Sequence, residues 1–254
     1  MPKEKSQDMP ILDHLEALRW HLIKSFASIL AFAIIGFIFS NKLIDFLSLP
    51  IKNTEPPLEL LNTTILGVFM AKMKVSIMAG IAFSIPVIAY QIWSFIAPGL
   101  LKEEKRYVPV FVGTTMINFT LGAAFSYFIM IPMSLTFFAV LNHGLPGLVN
   151  YVTLADYLSY ITMLILFTGV AFELPILIYI LAKLGLVSAE MLQNGRRFST
   201  LIILLLSAIF TPADPFTMLG VAIPMIILYE VGIWVAKFVK SSKDTSNELE
   251  KITS

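Results

Sequence analysis

The chain has 254 residues, of which 57% are hydrophobic and 14% charged, with a formal net charge of +1 and no cysteine. A soluble domain carries about a quarter charged residues, so this composition excludes an ordinary water-exposed fold and points to a lipid-facing one. Without cysteine there is no disulfide framework, thiolate metal site or cysteine nucleophile.

The N-terminal segment is polar, with Lys3, Glu4, Lys5, Asp8, Asp13, Glu16 and Arg19 ahead of the first apolar run. Asp8 is placed to cap a helix through Ile11, Leu15, Leu18 and Leu22, whose spacing puts them on one face. A transmembrane helix needs about 20 apolar residues to cross a hydrocarbon core of about 30 Å. Leu22–Phe39, Val75–Ile96, Val108–Ile131 and Tyr157–Ala182 answer to this. Charged residues precede the first of them and no small-residue cleavage site follows Phe39, so it reads as a retained span rather than a removed signal. Phe198–Phe210 and Phe216–Tyr229 are shorter, at about 13 and 14 residues. Backbone polar groups in lipid must be satisfied within the segment, so all six runs read as helices. The expected fold class is all-α, a polytopic membrane protein with six transmembrane helices, the fifth and sixth short. Such short helices either thin the bilayer on one side or are lengthened by snorkelling of Arg196, Arg197 and Glu230.

The connections differ. Ser40 to about Lys74 contains Pro50, Pro56 and Pro57, then Leu58–Met73, a stretch suited to a short interfacial helix. Pro132–Asp156 carries the turn-rich run Asn142-His143-Gly144-Leu145-Pro146-Gly147. Thr211-Pro212-Ala213-Asp214-Pro215 reads as a tight hairpin. Residues 1–240 form one membrane domain and Ser241–Ser254 a polar, disordered tail.

Basic residues set the orientation. Lys3, Lys5, Arg19, Lys24, Lys102, Lys105, Arg106, Lys183, Arg196, Arg197, Lys237, Lys240, Lys243 and Lys251 fall on one side, which leaves Lys42, Lys52, Lys72 and Lys74 for the other. The basic-rich side is cytoplasmic, so both termini are expected inside.

Within the spans, Glu173 is the strongest polar signal, because a carboxylate at mid-bilayer costs about 2.5–3.5 kcal/mol on insertion scales. It must be protonated, paired across helices or exposed to a wet cavity, either as a structural hydrogen bond or as part of a functional polar groove. Pro86 and Pro175 each remove a backbone hydrogen bond and bend their helices toward a concave shape. Gln91 and Glu230 read as interhelical packing groups, Gln91 as a second polar member beside Glu173. On the cytoplasmic side the charge cluster Lys102-Glu103-Glu104-Lys105-Arg106 reads as a solvated loop. No zinc-protease, nucleophile-elbow or phosphate-loop motif is present, and His14, His21 and His143 lie in segments not expected to converge. The chain is therefore expected to be no enzyme and to hold no metal or cofactor.

Several short motifs, in order, resemble one family. These are His14-Leu15-Glu16-Ala17-Leu18-Arg19, Tyr90-Gln91-Ile92-Trp93-Ser94-Phe95-Ile96-Ala97-Pro98-Gly99-Leu100 followed by Glu104, Phe172-Glu173-Leu174-Pro175, Thr211-Pro212-Ala213-Asp214, Ala222-Ile223-Pro224 and Tyr229-Glu230. Together they resemble the TatC family, the multi-span receptor subunit of the twin-arginine protein translocase. The resemblance implies six helices in a concave arrangement in a prokaryotic inner membrane. It further implies binding of twin-arginine signal peptides on folded cargo, single-span TatB-like and TatA-like partners in an oligomeric complex, and transport driven by the proton motive force. No nucleic acid is implied. On the family's pattern Glu104 receives signal-peptide arginine and Phe95 lines that site, with Glu103, Glu16 and Arg19 around it. Glu173 becomes the polar group of the concave face, and Asp214 marks the outer hairpin. A guanidinium fork matches a carboxylate bidentately where lysine cannot, which gives arginine preference a physical basis. Two departures stand out: Ala17 occupies the second acidic position of the family's His-Leu-x-Glu-Leu-Arg, and no acidic residue lies near Gly67 before the second span. The rival reading is a proton-coupled secondary transporter of a small solute with Glu173 as the coupling carboxylate. It calls for paired repeats that this sequence does not show.

Overall fold

The computed structural model describes residues 11–96, 108–143, 151–211 and 215–238. Helix α1 (Ile11–Ile38) runs unbroken through the amphipathic stretch and the first span. Its sequence has no proline, and its one glycine, Gly36, comes near its end, so nothing interrupts it. Asp8, the expected cap, lies outside the described residues. Two short helices, α2 (Ser40–Leu47) and α3 (Leu49–Lys52), follow.

Next comes a strand, β1 (Glu59–Leu61), where an interfacial helix over Leu58–Met73 was expected. It pairs in parallel with β2 (Tyr151–Thr153), Glu59 opposite Tyr151 and Leu61 opposite Thr153. The backbone partners are far away in sequence, so local periodicity could not show them. Helix α4 (Gly67–Ile96) therefore begins eight residues before the expected Val75 and takes Lys72 and Lys74 into its first turns. The Lys74 ammonium donates to the Ser159 hydroxyl in the fourth span.

The third span is longer than Val108–Ile131. Helix α5 (Val108–Phe125), a π-helical turn (Ser126–Met130) and α6 (Ile131–His143) make one continuous rod. Pro132 does not stop it, because the wider π register just before the proline re-spaces the backbone hydrogen bonds at that turn. The fourth span does the opposite. Helix α7 (Leu154–Ala171) stops, and α8 (Leu174–Lys183) restarts after Phe172 and Glu173 with Pro175 in its first turn. Pro175 falls in the first turn of α8, where its missing N–H has no intrahelical bond to lose, whereas Pro86 lies inside α4 without ending it. Helix α9 (Ala189–Asn194) leads to α10 (Arg196–Phe210) and α11 (Pro215–Phe238).

Among the described residues five helical stretches are long and apolar enough to cross a membrane: Leu15–Ile38, Gly67–Phe95, Pro109–Leu141, Leu154–Lys183 and Pro215–Phe238. The last corrects an expectation. The sixth apolar run is not short, since α11 has 24 residues, about 36 Å of helix. Glu230 does not end it, because its carboxylate accepts a hydrogen bond from Arg196 Nη2 at 2.8 Å. Helix α10 is short as expected, at 15 residues, about 22 Å. Arg196 thus meets a carboxylate rather than reaching freely to the interface.

Helix α7 is central. Its Tyr157, Leu158, Ile161 and Leu164 are almost wholly buried. Two tyrosines fasten α2 to the bundle: Tyr157 donates to the Leu47 carbonyl at 2.8 Å and Tyr127 to the Phe46 carbonyl at 2.7 Å. Those carbonyls belong to the last turn of α2, the Phe46 carbonyl also accepting from a backbone N–H at the end of the helix. Helices α1 and α4 meet at backbone distance. A Cβ on Gly80 would lie 2.7 Å from the Ile29 carbonyl oxygen and 2.8 Å from the Ala33 Cβ. Between α5 and α7, a Cβ on Gly122 would lie 2.7 Å from the Thr168 carbonyl oxygen. Small residues of this kind let helices pack where lipid removes the hydrophobic drive to associate.

Gly80→Ala should therefore force α1 and α4 apart and destabilise the fold by about 1–3 kcal/mol, as overpacking does. Gly113, whose added Cβ would meet nothing within 4 Å, is the control, and Gly113→Ala should be neutral or stabilise by up to about 1 kcal/mol. Denaturant titration of the two purified variants against wild type measures the difference. Equal midpoints for Gly80→Ala and wild type would refute the close-packing account.

Candidate functional site

The end of the bundle where α1 begins and α4 finishes gathers several of the expected residues. Glu16 and Arg19, three apart on α1, are both exposed, whereas Ala17 between them is half-buried. The spacing explains this, since consecutive helical residues differ by about 100° and residues three apart share a face. A turn farther along, His21 faces α4. Its Nδ1 lies 2.6 Å from Gln91 Oε1, and its ring meets Phe95 edge-on at 6.0 Å between centroids. With the amide oxygen as acceptor, Nδ1 carries the proton and Nε2 remains an acceptor. Gln91 and Phe95 are four apart on α4 and so present one polar and one aromatic group to the same histidine. Gln91 is buried and Phe95 half-buried. Trp93, between them, turns the other way and stacks on Phe111 of α5 at 3.9 Å. Glu103 and Glu104 lie outside the described residues, in the segment that directly follows α4.

Histidine 21 is the group that sequence reasoning missed. The three histidines were read as separate, and no pattern linked residue 21 to residue 91. The available signal was a polar side chain at the point where α1 turns apolar, seventy residues from a buried glutamine at the matching depth of α4. Gln91 was also grouped with Glu173, but the structure gives the two different polar neighbours.

Glu173 sits in the break between α7 and α8, a position created by Pro175. Its carboxyl lies against the Thr115 side chain and the Phe119 backbone on α5, and Oε1 is buried without a partner. Ser126 Oγ and Thr168 Oγ1 are likewise buried and unpartnered. Thr168 packs against Gly122, and Ser126 lies one turn beyond Gly122 on the same helix. A sparse polar seam thus runs between α5 and α7 from Glu173. At the same contact, Phe119 lies over Gly169, where an added Cβ would come within 2.5 Å of its ring.

Elsewhere at this end, Tyr229 donates to the Leu192 carbonyl at 2.8 Å, which ties α11 to α9 beside the Arg196–Glu230 pair. That pair is about half exposed, so it contributes at most about 1 kcal/mol. Asp214 lies outside the described residues.

The His21–Gln91 contact lends itself to a double-mutant cycle. Gln91→Leu leaves the imidazole N–H without its acceptor, and His21→Ala removes the donor. The coupling between the two changes, read from unfolding in detergent, should be about 0.5–1.5 kcal/mol. Additive effects would show that the contact contributes nothing.

Comparison with known proteins places the chain as a whole. A family model described as the Sec-independent protein translocase protein (TatC) covers residues 13–224. The Sec-independent protein translocase protein TatC of Carboxydothermus hydrogenoformans is 34% identical over 245 residues, 96% of this chain and 99% of that protein. The protein of the same description from Aquifex aeolicus is 34% identical over 236 residues, 92% of this chain and 98% of that one. Among solved structures, the twin arginine translocase receptor TatC crystallised in DDM superposes with a TM-score of 0.81 at 33% identity, covering 88% of this chain and 99% of that chain. These likenesses displace the small-solute transporter reading. Sequence and fold converge, and the chain belongs to the TatC family, as a membrane subunit of the Sec-independent protein translocase.

Proposed function

We propose that this chain is the receptor for twin-arginine signal peptides and the core subunit of a translocase that exports folded proteins using the proton motive force. The observation that carries the reading is the cluster of His21, Gln91 and Phe95 on α1 and α4. It stands beside the exposed Glu16 and Arg19 and immediately before the segment that holds Glu103 and Glu104. In this reading six helices cross an inner membrane, α10 being the short fifth, and both termini face the cytoplasm. Glu104 grips one signal-peptide guanidinium, with Glu103 and Glu16 as helpers, and Phe95 walls the site. Ala17 supplies no second carboxylate. Glu16 points into solvent, away from the direction residue 17 takes, so it reaches an arginine only at the edge of the site.

The Glu173 seam is the intramembrane polar groove of the same machine. A carboxyl held at a helix break, with one oxygen unpartnered, is suited to a polar group from a single-span TatA-like or TatB-like subunit. Asp214 marks the outer hairpin, and the working unit is an oligomer of such subunits.

Titrating a labelled twin-arginine peptide against the detergent-solubilised chain tests the receptor role. Glu104→Ala should weaken binding about tenfold or more, because a charge-assisted hydrogen bond is lost. Glu16→Ala should weaken it less, and Ala17→Glu should strengthen it. Equal affinity for wild type and Glu104→Ala would remove Glu104 from the site. A peptide with both arginines replaced by lysine should bind more weakly than its parent at every variant that keeps Glu104.

The natural absence of cysteine makes the topology directly testable with single introduced cysteines at Asn62, which is exposed, and at Ser241. An impermeant thiol reagent applied to intact cells should label the first and spare the second. The reverse pattern would overturn the orientation.

A further inference from the structure

We propose that the groove between α4 and the rod formed by α5, the π turn and α6 binds one anionic phospholipid, its acyl chain against Phe83 and Thr120 and its phosphate at Asn53 beside Lys52. Three cavities follow one another along this rod. The first, about 240 Å³, is bounded by Pro86, Met116 and Thr120. The second, about 270 Å³, shares Phe83, Thr120 and Ala123 with it and continues to Phe128. The third, about 320 Å³, shares Phe46, Tyr127 and Phe128 with the second and reaches Asn53, Thr54 and Thr136. They form one track rather than three pockets.

The track has the polarity of a lipid. Its lower two parts present an apolar wall in which Thr120 turns its hydroxyl to the Met116 carbonyl, and Asn53, Thr54 and Thr136 line the end under α3. From Met116 to Phe128 the rod rises about 18 Å, against about 15 Å for one leaflet of the hydrocarbon core. The apolar part therefore has the length of a single acyl layer and stops near mid-membrane at Pro86. A partner's transmembrane helix is the alternative occupant, but it would have to cross the whole core and is about 10 Å wide. Phe83 and Phe128, 61% and 69% exposed, flank the open side, so a chain enters laterally from the bilayer.

Charge settles the headgroup. Lys52 is exposed at the end of α3, next to Asn53 at the polar mouth. Among the described residues it makes no ion pair, which leaves its ammonium available to a phosphate. Glu55, two residues after Asn53 and exposed, disfavours a headgroup that spreads negative charge beyond the phosphate.

Native mass spectrometry of the purified full chain, with phosphatidylglycerol or phosphatidylcholine of equal chain length added, tests this. No signal peptide is present, so the outcome is independent of the receptor reading. Wild type should retain one phosphatidylglycerol per chain, about fivefold more tightly than phosphatidylcholine, the effect expected of one lysine at a membrane surface. Thr120→Trp fills the track from an exposed position and should lower retention of both lipids. Lys52→Gln should abolish the preference while leaving phosphatidylcholine retention unchanged. Lipid retention by Thr120→Trp equal to wild type, or a preference that survives Lys52→Gln, would overturn the proposal, as would a retained polypeptide in place of lipid. Should Thr120→Trp not elute as a folded species, the exposed Lys52→Gln substitution decides alone.

Discussion

Helices in a bilayer gain little from hiding apolar side chains from one another, because lipid tails are as apolar as leucine. Association then depends on how closely backbones approach, and this bundle is organised around such approaches. Gly80 brings α4 onto the carbonyl of Ile29 and the side chain of Ala33, and Gly122 brings α5 onto Thr168 of α7. With α4 and α5 both drawn against α7, that helix becomes the buried centre, and Tyr157 and Tyr127 carry the order outward by capping α2. The close contact of α1 with α4 also holds His21 over Gln91 and Phe95.

A second constraint is the need of every buried backbone group for a partner. Two prolines meet it in different ways. At Pro132 a π turn re-spaces the hydrogen bonds and the helix continues. At Pro175 the helix breaks, and the break presents Glu173 to α5 instead of to its own helix. The polar seam of the interior thus follows from one imino acid. Its position, between two helices that touch at glycines, leaves little room for anything larger than a small polar group.

The receptor end and the lipid track use different stretches of α4, and this one helix serves both. Its last turns supply Gln91 and Phe95, while its middle, from Ala82 to Pro86, forms one wall of the track.

Much of this was legible in residue order alone. Long apolar runs required helices because unsatisfied backbone is intolerable in lipid, and Glu173 announced itself by being charged where charge is expensive. Pro175 was read as a bend and instead stands where one helix ends and the next begins, whereas Pro86, read the same way, lies inside α4. The motif from Tyr90 to Leu100 pointed to the family and hence to Phe95. What residue order could not show were contacts between groups distant in sequence. The parallel pairing of Glu59–Leu61 with Tyr151–Thr153 replaced an expected helix, and the Arg196–Glu230 pair carried the last helix past a charge taken for its end. The histidine at residue 21 acquired its meaning only from Gln91, seventy residues on. Local chemistry decides which segments become helices, because the hydrogen bonds that make them are local. Which side chains then meet is decided by how close two backbones can come, and that is a property of the folded bundle alone.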